Sequence, residues 1–448
     1  MKRTRSVTGL LILLTALVAC TRTVAPDPPN IVLIISDDQS WTDYSFMGHE
    51  HIRTPRIDRL AEEGLTFTRG YTTAPLCRPA LASMATGLFP HQHKVVGNDP
   101  VFDFGDKPRY REEWLKLRAR VNDSVVAAFE QLPTLADLLG EAGYVSLQTG
   151  KWWEGNPAMG GFTRGMTHGD PGKGGRHGDE GLKIGREGME EIYNFIGDAR
   201  EQEKPFFIWY APFLPHTPHT PPDSLREKYL PLAPSSAVAN YWAMCEWFDI
   251  TCGQLVDHID DQGLSERTLF IYVTDNGWIQ DPDKPNRFDA MSKRTPYEMG
   301  IRTPMIFRWT GVINPQMDET SLVSSIDIAT TILDVCGIAP APEMQGINVL
   351  DQGALSGRDA IFAEAYAHDF TTVEQSLNFR IIVKLPWKLI LPDPVNRPDD
   401  PQDYPMEPDG QPQLFNLIED PHERVNLAAE YPEIVSGLTM EIEAWWMK

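Results

Sequence analysis

The sequence predicts an α/β protein: a large domain on a mostly parallel sheet flanked by helices, then a small C-terminal α+β domain with an antiparallel sheet. Three observations predict it. Strand-like apolar runs alternate with helix-period segments up to about residue 350, as in a sheet covered on both faces. The leading run, Asn30 to Ser36, is apolar throughout rather than alternating, which suits a strand buried on both sides. Beyond residue 350 the runs shorten and are separated by Pro- and Asp-rich turns. At 448 residues the chain is long enough for both parts, placed at 30–350 and 351–448.

Taken in order, the first element is a targeting segment. Lys2, Arg3 and Arg5 precede a short apolar run from Leu10 to Val18, which is too short for a comfortable membrane span. Leu17-Val18-Ala19-Cys20 resembles a bacterial lipobox, so residues 1–20 read as a signal with Cys20 lipidated. Residues 21–29 read as a polar tether, giving an exported protein of the bacterial cell envelope, a lipoprotein or periplasmic. The alternative is a plain signal peptide with a chance cysteine.

The strand from Asn30 runs into Asp37-Asp38. Thr54-Pro55 opens a helix with Ile57, Leu60 and Ala61 on one face, stopped by Gly64. Leu65 to Tyr71 is a strand leading to Cys77. Pro133 to Ala142 is helical, and the strand Tyr144 to Gln148 ends at Gly150-Lys151. Phe206 to Ala211 delivers Pro215-His216. A long helix from about Ala237 to Gln262 precedes the strand Leu269 to Thr274, which ends at Asp275-Asn276-Gly277. Chemically loaded residues thus follow the C-terminal ends of strands, where open α/β sheets place their sites. The small domain takes Ile361 to Ala365, Phe379 to Val383, Trp387 to Leu391 and Leu414 to Leu417 as strands, a surface loop from Pro392 to Pro412, and a closing helix from Pro432.

A formal charge of −23 argues against nucleic acid as a partner. Any anionic substrate must be met by a local cluster of cations. Five cysteines make no disulfide framework: Cys245 and Cys252 lie seven apart on one helix, about 10 Å at 1.5 Å per residue, too far to bridge. With Cys336 they read as small buried hydrophobes.

Asp37-Asp38 and Asp275-Asn276 each offer oxygen ligands at a strand end, a donor set for a hard cation rather than zinc. Singly, each pair also reads as a turn or cap. In Cys77-Arg78-Pro79-Ala80-Leu81, Pro79 suits the first turn of a helix, and Cys77 would sit at its positive end, fit for a thiolate or a bound sulfate ester. A buried free cysteine before an ordinary helix reads equally well from this segment alone.

Together these segments resemble the formylglycine-dependent sulfatases of the alkaline phosphatase-like superfamily. Cys77, Pro79 and Thr86-Gly87 stand in the sulfatase Cys-x-Pro-x-Arg signature, with Leu81 in place of its arginine. Gly150-Lys151-Trp152, Pro215-His216 and Thr274-Asp275-Asn276-Gly277 resemble further family elements. So do Lys293 through Glu298 with Gly300 and Arg302, and the closing Asp420-Pro421, Glu423 and Asn426-Leu427. The resemblance implies an alkaline phosphatase-like fold, hydrolysis of sulfate esters, most readily of a sulfated carbohydrate, and a formylglycine made from Cys77 by a maturation enzyme. It also implies Ca²⁺, with Mg²⁺ as the alternative, held by Asp37, Asp38, Cys77, Asp275 and Asn276. Lys151 and Lys293 would balance sulfate charge, and His216 would hydrogen-bond the sulfate or protonate the departing alkoxide.

Trp153 stands where the family has a histidine. Arg78, His177 (in the Gly-rich stretch Gly169 to Gly181) and His219 are candidate substrate contacts, each also readable as a loop or turn residue. His91 and His93 suggest packing behind the site. Trp41, Trp152, Trp153, Trp209 and Trp278 are candidates for stacking on sugar rings or for core. Two competing readings are a phosphate or phosphonate ester hydrolase of the same superfamily and a catalytically silent binder of sulfated glycans.

Overall fold

A computed structural model describes residues 28–100, 111–169, 178–370, 372–394 and 410–447. The predicted signal, Cys20 and His177 lie outside them. The large sheet has six principal strands, β1 (Asn30–Ser36), β2 (Leu65–Tyr71), β3 (Val145–Gly150), β4 (Phe206–Ala211), β5 (Thr268–Thr274) and β6 (Arg302–Arg308). Their order is β2-β6-β5-β1-β4-β3, with short strands added at both edges. All pairings in this sheet are parallel except those of β6, which runs antiparallel to β5 and β2. The apolar composition of β1, β4 and β5 follows from this: helices cover both faces, and every residue of these strands is buried. One core cluster gathers Leu33, Phe67, Trp209 and Met305, and the other gathers Val32, Ile208, Phe248 and Tyr272.

The strand ends and the helices Pro55–Glu63, Leu135–Glu141, Ser236–Asp261 and Pro432–Trp446 fall close to their predicted positions. Strand β6 was not among the predicted strands. It follows the helical turn Glu298–Ile301 directly, so its apolar residues merge with a segment dominated by charged motif residues. The helix Glu190–Glu201 also escaped the sequence reading.

The small sheet is antiparallel, in the order β7 (Ile361–Tyr366), β8 (Leu377–Lys384), β9 (Trp387–Pro392), β10 (Gln413–Asn416). The closing helix covers one of its faces, burying Leu438 and Ile442 against Ile382, Leu389 and Leu414. The other face packs on the large domain through Tyr71, Tyr297 and Ile301.

That interface encloses charge. Lys388 on β9 is wholly buried and pairs with Glu298 at 3.1 Å and Glu423 at 2.7 Å. Glu298 also accepts a hydrogen bond from the Tyr71 hydroxyl and sits 3.5 Å from Arg302, while Glu423 accepts from the Glu298 backbone N–H. Burial and the neighbouring Glu298 outweigh Lys388 and push the Glu423 carboxyl up to about 7. Removing one partner of a buried ion pair strands the others. Lys388→Met is therefore expected to lose about 3–5 kcal/mol of stability by denaturant unfolding. Lys388→Met with Glu423→Gln is expected to lose less. A single variant as stable as wild type would refute the account.

Candidate active site

The site lies where β1, β4 and β5 end together. Register places Ser36 beside Thr274, so Asp37-Asp38 and Asp275-Asn276 emerge as neighbours. Backbone hydrogen bonds fasten them: Asp275 N–H to the Ser36 carbonyl (2.9 Å), Asp37 N–H to the Leu214 carbonyl (3.1 Å) and Gln39 N–H to the Asn276 carbonyl (3.2 Å). Lys151 is delivered by β3, its N–H bonded to the Ala211 carbonyl at 2.7 Å. Gly150 makes this possible, since its φ is +75° and a Cβ there would meet the Ala211 carbonyl oxygen at 1.8 Å. Cys77 opens the helix Cys77–Thr86, as the sequence predicts.

Side chains converge at these strand ends. Lys151 Nζ is 2.7 Å from Asp37 Oδ1 and 4.0 Å from Asp275 Oδ2. Lys293 Nζ is 2.5 Å from Asp38 Oδ1 and 3.3 Å from Cys77 Sγ. Asn276 Nδ2–H donates to Asp38 Oδ1 at 2.7 Å, and His216 Nε2 is 3.4 Å from Asp38 Oδ2. All except His216 are almost fully buried. Burial favours neutral Asp38, but Lys293, His216 and Lys151 outweigh it and hold the carboxyl below its usual range. Burial likewise opposes charge on Lys151 and Lys293, yet the carboxylates beside them raise both.

Cys77 differs from the thiolate a helix start alone would suit. Burial dominates the two nearby lysines and pushes its thiol up to about 12, so it is protonated at neutral pH. Burial, with Lys151 and Lys293 nearby, lowers His216 well below its ordinary value. Its Nδ1–H donates to the Thr217 carbonyl at 2.6 Å, leaving Nε2 toward Asp38.

Four buried oxygens here have no hydrogen-bond partner among the described residues: Asp37 Oδ2, Asp38 Oδ2, Asp275 Oδ2 and Asn276 Oδ1. Each belongs to one of the four oxygen donors expected from sequence. Unsatisfied buried carboxylate oxygens are costly, and a four-oxygen set suits a hard divalent cation. The residues therefore fit the group the resemblance implies, and Asp37, Asp38 and Cys77 also bring ligand atoms within 4.8 Å of one another with His216.

A cavity of about 520 Å³ opens above this floor, lined by Asp38, Trp153, His216, Trp278 and Lys293 and, further out, by Asp99, Arg287, Arg294, His368 and Asp369. A sulfatase family model matches residues 29–338, and one for the C-terminal part of N-sulphoglucosamine sulphohydrolase matches 287–447. The chain belongs to the sulfatase family. It is similar to human N-acetylgalactosamine-6-sulfatase, 27% identical over 94% of this chain and 86% of that protein. It is also similar to the N-acetylgalactosamine-6-O-sulfatase of Bacteroides thetaiotaomicron, 24% identical over 99% of each. The crystal structure of Ps i-CgsB in complex with k-i-k-neocarrahexaose superposes with a TM-score of 0.69, at 22% identity over 93% of this chain and 92% of that one.

Leu81 and Trp153 of this sulfatase depart from the family pattern. Leu81 faces the large-domain core and is 4% exposed. Trp153 lines the cavity with its ring 5.1 Å from the Lys151 ammonium, so an aromatic face replaces an imidazole that would exchange protons. Arg78 does not line the cavity: its guanidinium is buried in a two-point pair with Glu154 at 2.6 and 2.7 Å and donates to Asn122. His219 does not line it either. It packs edge-on to Trp278 beneath the cavity wall. His93 bonds Ser83 behind the helix, and His91 pairs with Glu364 of the small domain. Trp152 and Trp209 are core. Trp41 packs under Arg302, the guanidinium 3.9 Å from its ring centroid.

The sequence reading missed Asn98, Asp99, Arg287, Arg294, His368 and Asp369 as cavity residues. None stands at the end of a principal strand, and Asp99 reaches His368 and its neighbour Asp369 only through the short ribbon pairing Asp369 with Asp99. If the four unpartnered oxygens hold the cation, Ca²⁺ raises the thermal midpoint of the wild-type protein and fails to raise that of Asp275→Ala. An equal shift in both proteins would move the metal elsewhere.

Proposed function

We propose that this sulfatase is an exported hydrolase of sulfated-carbohydrate esters that works through a formylglycine formed from Cys77 and a resident Ca²⁺. The observation that carries the reading is the convergence of four unpartnered buried oxygens with Cys77 and two lysines at the C-terminal ends of the central strands. The named substrates of the similar proteins, N-acetylgalactosamine 6-sulfates, support a sulfated sugar. When present, the cation and the aldehyde side chain supply a nucleophile and charge neutralisation at neutral pH, held by Asp37, Asp38, Asp275 and Asn276.

The protein's own residues do the rest. Lys151 and Lys293 stay charged because the carboxylates raise them, so both present ammonium groups to sulfate oxygens without a change of protonation. Burial and those lysines favour neutral His216. An entering sulfate ester counters the lysines and favours the protonated ring, with Nε2–H directed to the ester oxygen and Nδ1–H kept by Thr217. Phe213 backs both groups, stacked on His216 at 4.2 Å and 5.5 Å from Lys151 Nζ, which keeps bulk water from that side. A silent glycan binder would require neither an oxidisable cysteine nor this buried oxygen set.

Mass spectrometry of the peptide spanning Thr72 to Lys94, from a host with sulfatase-maturation machinery, is expected to show the Cys77 thiol replaced by an aldehyde oxygen. Cys77→Ala is expected to abolish turnover of aryl sulfate and sulfated sugar. An unmodified Cys77 with no hydrolysis of any sulfate ester would favour the binder.

The lipobox motif supports attachment at Cys20 in the cell envelope. Cys20→Ala is expected to shift the protein from the membrane fraction to the soluble one. A wild-type protein that is already soluble and unlipidated would end this reading.

A further inference from the structure

The cavity's mouth carries chemistry that cleavage of one sulfate ester does not use. Three chain segments build it, two of them paired as a ribbon. The loop after Asn276 contributes Trp278, Asn286, Arg287 and Phe288, and the ribbon of Asp99–Pro100 with Asp369–Phe370, with its flanking residues, contributes Asn98, Asp99, His368 and Asp369.

The loop offers donors. Trp278 is 3% exposed, and its buried indole N–H has no acceptor among the described residues. Such a group donates only, and leaving it unmet is costly. Arg287 has no ion pair or hydrogen bond to its guanidinium among the described residues. Arg56, Arg78, Arg164, Arg308 and Arg358 are each paired with a carboxylate. Nor is Arg287 on a loose tip. Its carbonyl accepts from Asp281 N–H at 2.9 Å, Gln280 bridges to Phe288, Asn286 accepts from His219 N–H, and Phe288 packs on Trp278 at 5.2 Å.

The ribbon offers acceptors. Polar atoms of Asp99, His368 and Asp369 lie within 4.8 Å of one another, with His368 Nδ1 2.6 Å from Asp369 Oδ1. Carboxylates accept from sugar hydroxyls and would repel an anion. Lys151, Lys293 and His216 lie on the cavity floor against Asp37 and Asp38, and on the sulfate-ester reading these are the groups that also meet the scissile sulfate. Arg287 is therefore a surplus cation at the mouth of a cavity in a chain of net charge −23.

We infer that the substrate carries a second anionic group, a carboxylate or another sulfate, bound by Arg287 within the wall that includes the Trp278 N–H. Sugar hydroxyls donate to Asp99 and Asp369. A cavity of about 520 Å³ has room for a saccharide as well as the ester. This inference rests on the sulfate-ester reading above.

Four probes test it: 4-nitrophenyl sulfate, a monosulfated neutral disaccharide, a monosulfated disaccharide with a uronate, and a disulfated disaccharide. Wild-type kcat/KM is expected to favour at least one dianionic disaccharide over the neutral one by roughly tenfold, the scale of one hydrogen bond to a charged group. The preferred arm tells carboxylate from sulfate. Arg287→Ala is expected to lose most of that preference through KM, Arg287→Lys to keep part of it, and Arg287→Glu to reverse it. Arg287 is exposed, and its removal strands no buried partner, so these variants are expected to fold. Equal kcat/KM on the three disaccharides, or a preference that survives Arg287→Glu, would overturn the inference while leaving the sulfatase reading intact. No turnover of any probe, 4-nitrophenyl sulfate included, would sink the sulfate-ester reading and the inference with it.

Discussion

Three carboxylates and two ammonium groups are buried together at the C-terminal ends of the large sheet's central strands, and the rest of the structure is arranged around keeping them compatible. Asp37, Asp38 and Asp275 cannot all remain charged in a dry interior on their own account. Lys151 and Lys293 offset two of them at 2.7 and 2.5 Å. One negative charge and four oxygen lone-pair sites remain, which a divalent cation would satisfy. The parallel register of β1 with β5 sets the acids side by side, and Gly150 brings Lys151 close enough to reach them.

The small domain shares in this arrangement. Glu298, held by Lys388 and Glu423, begins the turn whose next two residues press on Gly277. A Cβ at Gly277 would meet the Met299 carbonyl at 1.9 Å, and Gly277 N–H bonds the Gly300 carbonyl at 2.9 Å. Gly277 adjoins Asn276, so the ionic contact between domains lies a few residues from one of the four unpartnered oxygens. The closing Asp420-Pro421-x-Glu423 segment supplies Glu423 to that contact.

Legibility in the sequence followed periodicity and position. Strands with continuous apolar runs, such as Asn30 to Ser36, and the residues just past their ends were readable, and so the buried floor was found nearly whole. Arg78 was not readable in the same way. A cation beside the signature cysteine looks like a substrate group until Glu154, seventy-six positions away, is seen to take two N–H groups along one edge of its guanidinium. The mouth was hidden for a related reason: Asp99 meets Asp369 only through a two-residue ribbon, too short to leave a pattern. Leu81 and Trp153 were legible as departures but not as replacements. Leucine turns one position into core, and tryptophan turns another into an aromatic wall beside Lys151.

The contact of Lys388 and Glu423 with Glu298 also bears on the order in which the protein is made. Asp37 and Asp275 leave the ribosome well before Glu423, the carboxylate that steadies the turn behind Gly277. Domains emerging first usually fold first. Here Glu298 lacks Lys388 and Glu423 until both have been translated, so the turn behind Gly277 is fastened only after the residues of the site itself have emerged. A nascent chain stalled before residue 388 would expose Glu298 without its lysine.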